Sequence, residues 1–324
     1  MMASPNVPVQ QRAPINGSGP ARRPVTAEQP ASRGRRAKPR AVFVLGVPRS
    51  GTTLIGNYLG SAHDVLNLAE FGGFYVARSV APAVVERIPG YHHAEYLAEL
   101  RVHARKFAER LATKGGCSWY LDHTPWNLEV AGGLAQDLPD ALFVLMVRHY
   151  SGTILSLRRF PWAGDSWEAN AELWVALCSR IIELPSDRLI VVGYDTLATQ
   201  PEATLATLGS ALRAHGFDTS GLDDRMLGHS HAAIIGEPRP VIGTHGGGED
   251  DAGGTAGPKL QSIRSLDAER WSGDIHARIW PIVRDTHFEL LRRFPGVYQC
   301  PPMPYPLSIH DEVRGLIPYE PECW

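Results

Sequence analysis

The sequence has few cysteines and no long apolar run, and both absences limit the class of protein it can encode. Its 324 residues include only four cysteines, at positions 117, 178, 300 and 323, and these match no metal-ligand spacing. We therefore expect reduced thiols, no bound metal and a cytoplasmic location. No stretch reaches eighteen consecutive apolar residues, so we expect no transmembrane segment.

The chain also has little overall charge, but that charge is unevenly distributed. Its formal net charge is −2, whereas residues 1–40 hold eight lysines and arginines, seven prolines and a single acid, Glu28. This leader has no apolar periodicity, so we expect it to be disordered. It lacks the apolar region of a secretory signal, although its composition has some transit-peptide character. A basic tail can touch nucleic acid or anionic lipid, but we expect a solvated extension and no nucleic-acid partner.

The most informative segment runs from Val42 to Leu54. An apolar run typical of a β-strand leads into a loop bounded by Gly46 and Gly51, and the loop leads into a segment with helical periodicity. This order points backbone N–H groups at one place, which suits a bound phosphate or sulfate. The skeleton GxxxxG[ST] is that of a nucleotide-binding P-loop, but Thr52 replaces its usual lysine and Arg49 supplies a cation inside the loop. The exchange argues against an ordinary ATPase or kinase.

Residues 46–53, GVPRSGTT, resemble the loop with which the sulfotransferase family binds the 5′-phosphosulfate of 3′-phosphoadenosine 5′-phosphosulfate (PAPS). The PRSGTT form is common in bacterial and tyrosylprotein members. The resemblance implies that PAPS is the donor substrate and that no metal is needed. The donor-binding residues that it implies in this loop are Pro48, Arg49, Ser50, Gly51, Thr52 and Thr53.

A second anion site is indicated where the apolar run 141–147 ends in Arg148, with Ser156 eight residues further on. An arginine at a strand end and a serine in the following helix can converge on one anion. Their separation resembles the family's 3′-phosphate clamp, which an ATP-dependent enzyme does not need. Tyr194, at the end of another apolar run, resembles the tyrosine that lies near the adenine. The structural alternatives are an arginine that caps the sheet, a serine that caps a helix and a buried tyrosine.

Three residues are candidates for the chemistry itself. We expect Arg49 to stabilise the charge that develops on the bridging and transferred oxygens. Glu70 stands in a position similar to the catalytic glutamate of tyrosylprotein and many bacterial sulfotransferases, and we predict that it is the base. The competitor is His123, which replaces the lysine of the D-K-T-P segment in relatives. A neutral histidine can act as a base or donate one hydrogen bond, but it supplies no permanent charge.

Apolar strands that alternate with helices predict an α/β fold of the P-loop type, with a central parallel sheet covered by helices on both faces. We expect strands near 41–46, 118–122, 141–147 and 188–193. We expect helices near 51–60, 92–113, 126–136, 152–159, 166–183, 201–215 and 267–294, with a potential break at Pro281. The domains that we expect are the disordered leader 1–40, the sulfotransferase domain 41–300 with a helical insertion at 92–113 and a Gly-rich loop at 236–258, and a Pro-rich tail 301–324.

The sequence leaves the acceptor open. Aromatic segments at 71–75, 119–120, 126 and 160–162 can line a pocket for a phenol, a sugar or a lipid alcohol, or they can belong to the core. Our first hypothesis is a sulfotransferase acting on a small-molecule or carbohydrate hydroxyl. The alternatives are a P-loop nucleotide kinase or NTPase, and a catalytically inactive sulfotransferase-like binding protein.

Overall fold

A parallel sheet forms the centre of the protein, as the sequence predicts, but it has five strands where four were expected. The structure is a computed structural model, and it describes residues 37–224 and 272–299. The strands are β1 (Arg40–Leu45), β2 (Val65–Asn67), β3 (Trp119–Asp122), β4 (Leu142–Val147) and β5 (Leu189–Gly193). Their order across the sheet is β2-β3-β1-β4-β5, and every neighbouring pair is parallel.

The continuous apolar runs of β1 and β4 arise because both faces of the sheet are covered. Side chains alternate across a strand, so Phe43 and Leu45 pack into one core while Val42 and Val44 pack into the other. All four side chains are completely buried. A strand at the centre of such a sheet has no solvent face, and this explains its lack of polar residues.

Helices form two outer layers around the sheet. They are α1 (Thr52–Gly60), α2 (Gly73–Ser79), α3 (Pro82–Val85), α4 (His93–Gly115), α5 (Ala131–Asp137), α6 (Tyr150–Leu157), α7 (Trp167–Ser179), α8 (Tyr194–Thr199), α9 (Pro201–Ala214) and α10 (Gly273–Arg293). Helices α1, α8 and α9 bury side chains with the even-numbered residues of β1, and α4, α7 and α10 do so with the odd-numbered ones. These layers confirm the predicted α/β fold.

Three local predictions differ from the structure. The helix expected near 126–136 begins as a 3₁₀ turn, Pro125–Val130, and becomes α-helical only at Ala131. The sequence pattern also missed the short elements β2, α2, α3 and α8. Pro281 does not interrupt α10, since the proline and residue 277, whose carbonyl loses its usual partner, are both exposed to water. Burial of Ile279 and Val283 holds the helix together on either side.

Several expectations lie outside the described residues. These are most of the leader 1–40, the Gly-rich loop 236–258 and the tail 301–324. In the described part of the chain, no helix is both long enough and apolar enough to cross a membrane.

Candidate anion-binding and transfer site

The loop between β1 and α1 makes a tight, strained turn at the carboxyl edge of the sheet. Arg49 has a φ of 77° and Gly51 a φ of 101°, both in the left-handed region. Glycine suits position 51 for two reasons. It adopts a positive φ without strain, and a Cβ there would come within 2.7 Å of the Tyr194 ring. Arg49 is a non-glycine residue in a conformation that costs free energy, and such strain is typical of functional sites.

The loop fits an anion that the described residues do not supply. Ser50 is 2% exposed, and its hydroxyl has no hydrogen-bond partner within the described residues. Helix α1 begins at Thr52 with neither a side-chain cap nor an acidic residue in its first turn. Its first N–H groups therefore remain available, with the positive end of the helix dipole, for a phosphate or sulfate.

The two predicted anion sites lie next to each other. The Arg148 guanidinium donates a hydrogen bond of 3.1 Å to the carbonyl oxygen of Arg49. In return, Nε of Arg49 donates a hydrogen bond of 3.1 Å to Oγ of Ser156. The ends of the neighbouring strands β1 and β4 thus bring Arg49, Arg148 and Ser156 into one site, although 107 residues separate Arg49 from Ser156.

Positive charge accumulates in this site. Although Arg49 as a whole is exposed, the surrounding atoms remove water from its guanidinium and lower its pKa, and Arg148 and Arg159 lower the pKa further. Tyr194 and Glu70 act in the opposite direction. Three cations held close together disfavour one another, and a bound polyanion relieves that repulsion.

Arg159 is a member of the site that the sequence analysis missed, and Phe160, which the sequence offered only as pocket or core, lies beside Arg49. The Arg49 guanidinium lies over the Phe160 ring, with Cζ 4.7 Å from the ring centroid. Both residues follow α6, and Arg159 comes three positions after Ser156. That spacing, close to one helical turn, is the signal by which Arg159 could have been found.

Tyr194 lies at the junction between the two loops. The guanidinium of Arg148 stacks on its ring at 4.2 Å, and Gly51 packs against the ring edge. Tyr194 is 8% exposed, so it supports the loops whatever else it binds. Its predicted contact with adenine stays a prediction.

Glu70 faces the N-terminus of α1. Its carboxylate accepts a hydrogen bond of 3.3 Å from the Thr53 hydroxyl, and the residue is exposed. The preceding residue, Ala69, has a left-handed φ of 56° and donates its N–H to the Asn67 side chain at 2.8 Å. On the other side, the N–H of Gly72 donates to the Thr124 hydroxyl at 2.9 Å. Glu70 is therefore presented beside the anion loop by a segment anchored at both ends.

His123 lies in the interior of the protein, next to α1. The residue is completely buried, both ring nitrogens are shielded from solvent, and its ring packs against Gly56 in the middle of α1. The absence of a side chain at Gly56 provides the space for the ring. From this position His123 does not face solvent, and its role as the competing base stays a prediction.

Asp122, beside His123, has a structural role. It accepts hydrogen bonds from the N–H and the hydroxyl of Thr124, at 2.8 and 2.6 Å. Burial raises the pKa of its carboxyl group, and the two Thr124 hydrogen bonds oppose that change. The Thr124 hydroxyl in turn accepts a hydrogen bond from the N–H of Gly72. This series of hydrogen bonds therefore fixes the segment that carries Glu70.

The fold and the site define a P-loop-type α/β protein whose loop lacks the usual lysine. Residues 39–217 match the model of the sulfotransferase family. The match spans more than half of the chain, and the chain therefore belongs to the sulfotransferase family. Membership supports sulfotransferase activity in general terms.

Solved structures similar to this chain include several sulfotransferases. The sulfotransferase domain from the curacin biosynthetic pathway is 16% identical, with 60% of this chain and 82% of that one covered and a TM-score of 0.41. STF9 from Mycobacterium avium is 12% identical, covering 80% and 78%, with a TM-score of 0.42. Mouse SULT7A1, solved in complex with PAP, is 10% identical, covering 79% and 86%, with a TM-score of 0.39. No curated protein matches the sequence.

Proposed function

We propose that this protein is a PAPS-dependent sulfotransferase that transfers a sulfuryl group to a hydroxyl of a small-molecule or carbohydrate acceptor. The observation that carries the proposal is the pairing of Arg49 and Arg148 at the ends of β1 and β4. Two adjacent cationic sites suit a nucleotide with an anion at each end better than they suit ATP. We further propose that the protein acts in the cytoplasm, on the ground of its few, scattered cysteines.

Different residues of the site would contact the three parts of this donor. The loop residues Pro48, Arg49, Ser50, Gly51, Thr52 and Thr53 would hold the 5′-phosphosulfate. Arg148 and Ser156 would hold the 3′-phosphate, and Tyr194 would contact the adenine ring. The buried hydroxyl of Ser50 and the uncapped start of α1 supply neutral donors, so that the site does not depend on charge alone.

Bound PAPS supplies a sulfuryl group, whose sulfur–oxygen bond to the 5′-phosphate breaks as the acceptor oxygen bonds to sulfur and adenosine 3′,5′-bisphosphate is released. Arg49 stabilises the negative charge that develops on the bridging oxygen in a loose transition state of this kind. Glu70 accepts the proton of the acceptor hydroxyl. Thr53, whose hydroxyl donates to Glu70, orients that carboxylate toward the anion loop.

The alternatives are disfavoured by particular residues. A nucleotide kinase or NTPase would need a cation in place of Thr52, and it would leave the Arg148 and Ser156 site without a purpose. A catalytically inactive binding protein remains the second candidate. It is favoured by the burial of His123, where relatives have a lysine.

Nucleotide titration followed by a transfer assay tests the proposal. We expect calorimetry to show strong preference for adenosine 3′,5′-bisphosphate over both ATP and 5′-AMP. Transfer of labelled sulfate from PAPS to any acceptor hydroxyl then separates the enzyme from an inactive binding protein. Equal affinity for the three nucleotides would contradict the proposal.

The assignment of the base has its own test. Replacing Glu70→Gln keeps the size of the side chain but removes its basicity, so we expect kcat to fall about 10²- to 10⁴-fold. The matched variant is His123→Asn, measured with nucleotide affinity as the check on folding. Loss of turnover in His123→Asn, with turnover kept in Glu70→Gln, would transfer the role to His123.

A further inference from the structure

Four aromatic rings form a continuous surface that starts at Arg49, and we call it the aromatic shelf. Its members are Phe160, Trp162, Trp126 and Tyr75. The Phe160 ring, which contacts the Arg49 guanidinium, lies 5.7 Å from Trp162. Trp162 lies 5.4 Å from Trp126, and Trp126 lies 6.4 Å from Tyr75. The shelf therefore leads from the proposed point of transfer outward.

The shelf rings are not fully buried, although Trp126 packs against the hydrophobic core. Among the aromatic residues that the sequence offered as pocket or core, Phe74, Trp119 and Tyr120 are at most 3% exposed and belong to the core. Trp162, by contrast, is 51% exposed, and the other shelf rings are partly exposed. An exposed run of large aromatic side chains beside a reactive site is typical of a binding surface.

The geometry of the shelf suits a flat partner. The rings of Trp126 and Trp162 meet at 68°, so they form a corner that offers a planar ring one face and one edge. Aromatic pairs favour both of these arrangements. The hydroxyl of Tyr75 already donates to Glu129 at 3.1 Å, so Tyr75 offers the corner its ring rather than a polar group.

The chemistry at the inner end of the shelf favours an acidic hydroxyl. The proposed base, Glu70, is an exposed carboxylate, and carboxylates are weak bases. A phenol, with a pKa of about 10 like that of tyrosine, gives up its proton far more readily than an aliphatic or sugar hydroxyl. Arg49 lies at the same end of the shelf, over the Phe160 ring, and Glu70 acts on it electrostatically.

We propose that the aromatic shelf is the acceptor subsite and that it takes an aryl hydroxyl. The acceptor ring lies against Phe160 and in the corner of Trp126 and Trp162, and its oxygen lies between Arg49 and Glu70. This inference rests on the proposed function, which it narrows from small molecules and carbohydrates to phenolic compounds. The proton moves from the phenol to Glu70 as the aryl oxygen bonds to sulfur and the bond from sulfur to the 5′-phosphate oxygen breaks.

Acceptors of matched size distinguish the effect of an aryl ring on turnover from the effects of size and apolarity. We would compare 2-naphthol with its saturated analogue decahydro-2-naphthol and with methyl β-D-glucoside, using labelled PAPS. We expect kcat/KM for 2-naphthol to exceed that for each of the other two by at least about a hundredfold. Equal or better turnover of the saturated alcohol or of the glucoside would overturn the inference and leave the proposed function standing.

The variant Trp162→Ala tests the shelf directly. Its side chain is largely exposed, so its loss leaves the fold intact, and we expect KM for 2-naphthol to rise about tenfold. The affinity for adenosine 3′,5′-bisphosphate should not change. The control is Tyr91→Ala, which removes an aromatic residue of similar exposure outside the shelf. Unchanged KM in Trp162→Ala, or an equal rise in the control, would contradict the proposal.

Calorimetric binding of 2-naphthol distinguishes the two ways of failing. If adenosine 3′,5′-bisphosphate does not bind, the proposed function fails. The shelf is then still judged by 2-naphthol binding that Trp162→Ala weakens about tenfold and Tyr91→Ala does not. If the bisphosphate binds but 2-naphthol does not, in the presence or absence of the nucleotide, the shelf proposal alone is wrong.

Discussion

Arg148 and His149 are neighbours in sequence but belong to two regions that treat positive charge in opposite ways. Arg148 points to the anion loop, where it joins Arg49 and Arg159 in what we call the cationic edge. His149 points into the protein, where it joins His276 and His287 in a buried histidine cluster. An arginine keeps its charge in proteins, whereas a histidine buried without an acid loses it. Two adjacent residues of different type therefore belong to a charged anion site and to a neutral core, respectively.

The histidine cluster connects α10 to the start of α6. The ring nitrogen Nδ1 of His149 lies 2.8 Å from the Ser151 hydroxyl and caps α6 by accepting a hydrogen bond from the backbone N–H of Ser151. The backbone N–H of His149 donates a hydrogen bond of 2.9 Å to the Asp195 carboxylate. The His287 ring lies 5.2 Å from the His149 ring and hydrogen-bonds the Tyr298 hydroxyl at 3.1 Å. Helix α10 therefore supports, from behind, the helix that carries Ser156.

Burial keeps these histidines neutral. It lowers the pKa of His149 well below the usual value, and nearby His287, His276 and Arg148 lower it further. Burial and His276 lower the pKa of His287 to about 3, and burial lowers the pKa of His276 as well. In the unfolded chain each takes up a proton near pH 6.5, so their contribution to stability is complete above that pH and is lost progressively below it.

The largest expected effect follows from removing the cation closest to the reaction. We predict that Arg49→Ala lowers kcat about 10³-fold, because the charge on the bridging oxygen loses its stabilising donor, with only a modest loss of nucleotide affinity. Labelled sulfate transfer and calorimetry measure the two quantities. The control is Arg284→Ala, which removes an exposed arginine of α10 outside the cationic edge. Unchanged turnover in Arg49→Ala would exclude the catalytic role.

A smaller effect is expected at the other end of the cationic edge. We predict that Arg148→Ala weakens adenosine 3′,5′-bisphosphate binding about 10- to 100-fold, because a charge-assisted hydrogen bond to the 3′-phosphate is lost. Binding of 5′-AMP should change much less, and this difference separates a specific contact from general damage to the loop. Wild-type affinity for the bisphosphate would rule out the clamp.

The histidine cluster should affect the pH dependence of stability rather than nucleotide binding. Replacing His287→Asn keeps a hydrogen-bonding group near the position of Nδ1 but removes titration. Below pH 6.5 each fully buried neutral histidine costs about 1.4 kcal/mol of stability per pH unit, so we expect the variant's pH dependence to be shallower by that amount. Urea unfolding between pH 7.5 and 5.0 measures it. The control is His103→Asn, which replaces an exposed histidine on α4. An unaltered slope in His287→Asn would show that this histidine does not titrate on unfolding.

The same comparison shows what a sequence can predict. Arg148 was predicted because it directly follows an apolar run, and Arg49 because it lies in the glycine-bounded loop after another such run. Parallel strands place their exits at one edge. The membership of Arg159 in the cationic edge depends on how α6 ends, and the burial of His123 depends on a glycine 67 positions away in α1. The histidine cluster unites His149 with two histidines of α10 that lie more than a hundred positions further on, and no local pattern connects α6 with α10. Local pattern thus predicts which strand ends carry charge, while packing between helices decides which side chains are withdrawn from solvent.

The partner of Arg148 in the anion loop is the main-chain oxygen of Arg49 and not the Arg49 side chain. The left-handed turn at residue 49 directs that oxygen toward the second strand exit, so the spacing of the two anion sites is a property of the backbone. The side chain of Arg49, which contacts Ser156 and Phe160, can therefore be exchanged without removing the Arg148 contact. Glycine, which adopts such a turn without cost, would preserve the distance between the two ends of the nucleotide while deleting the charge between them.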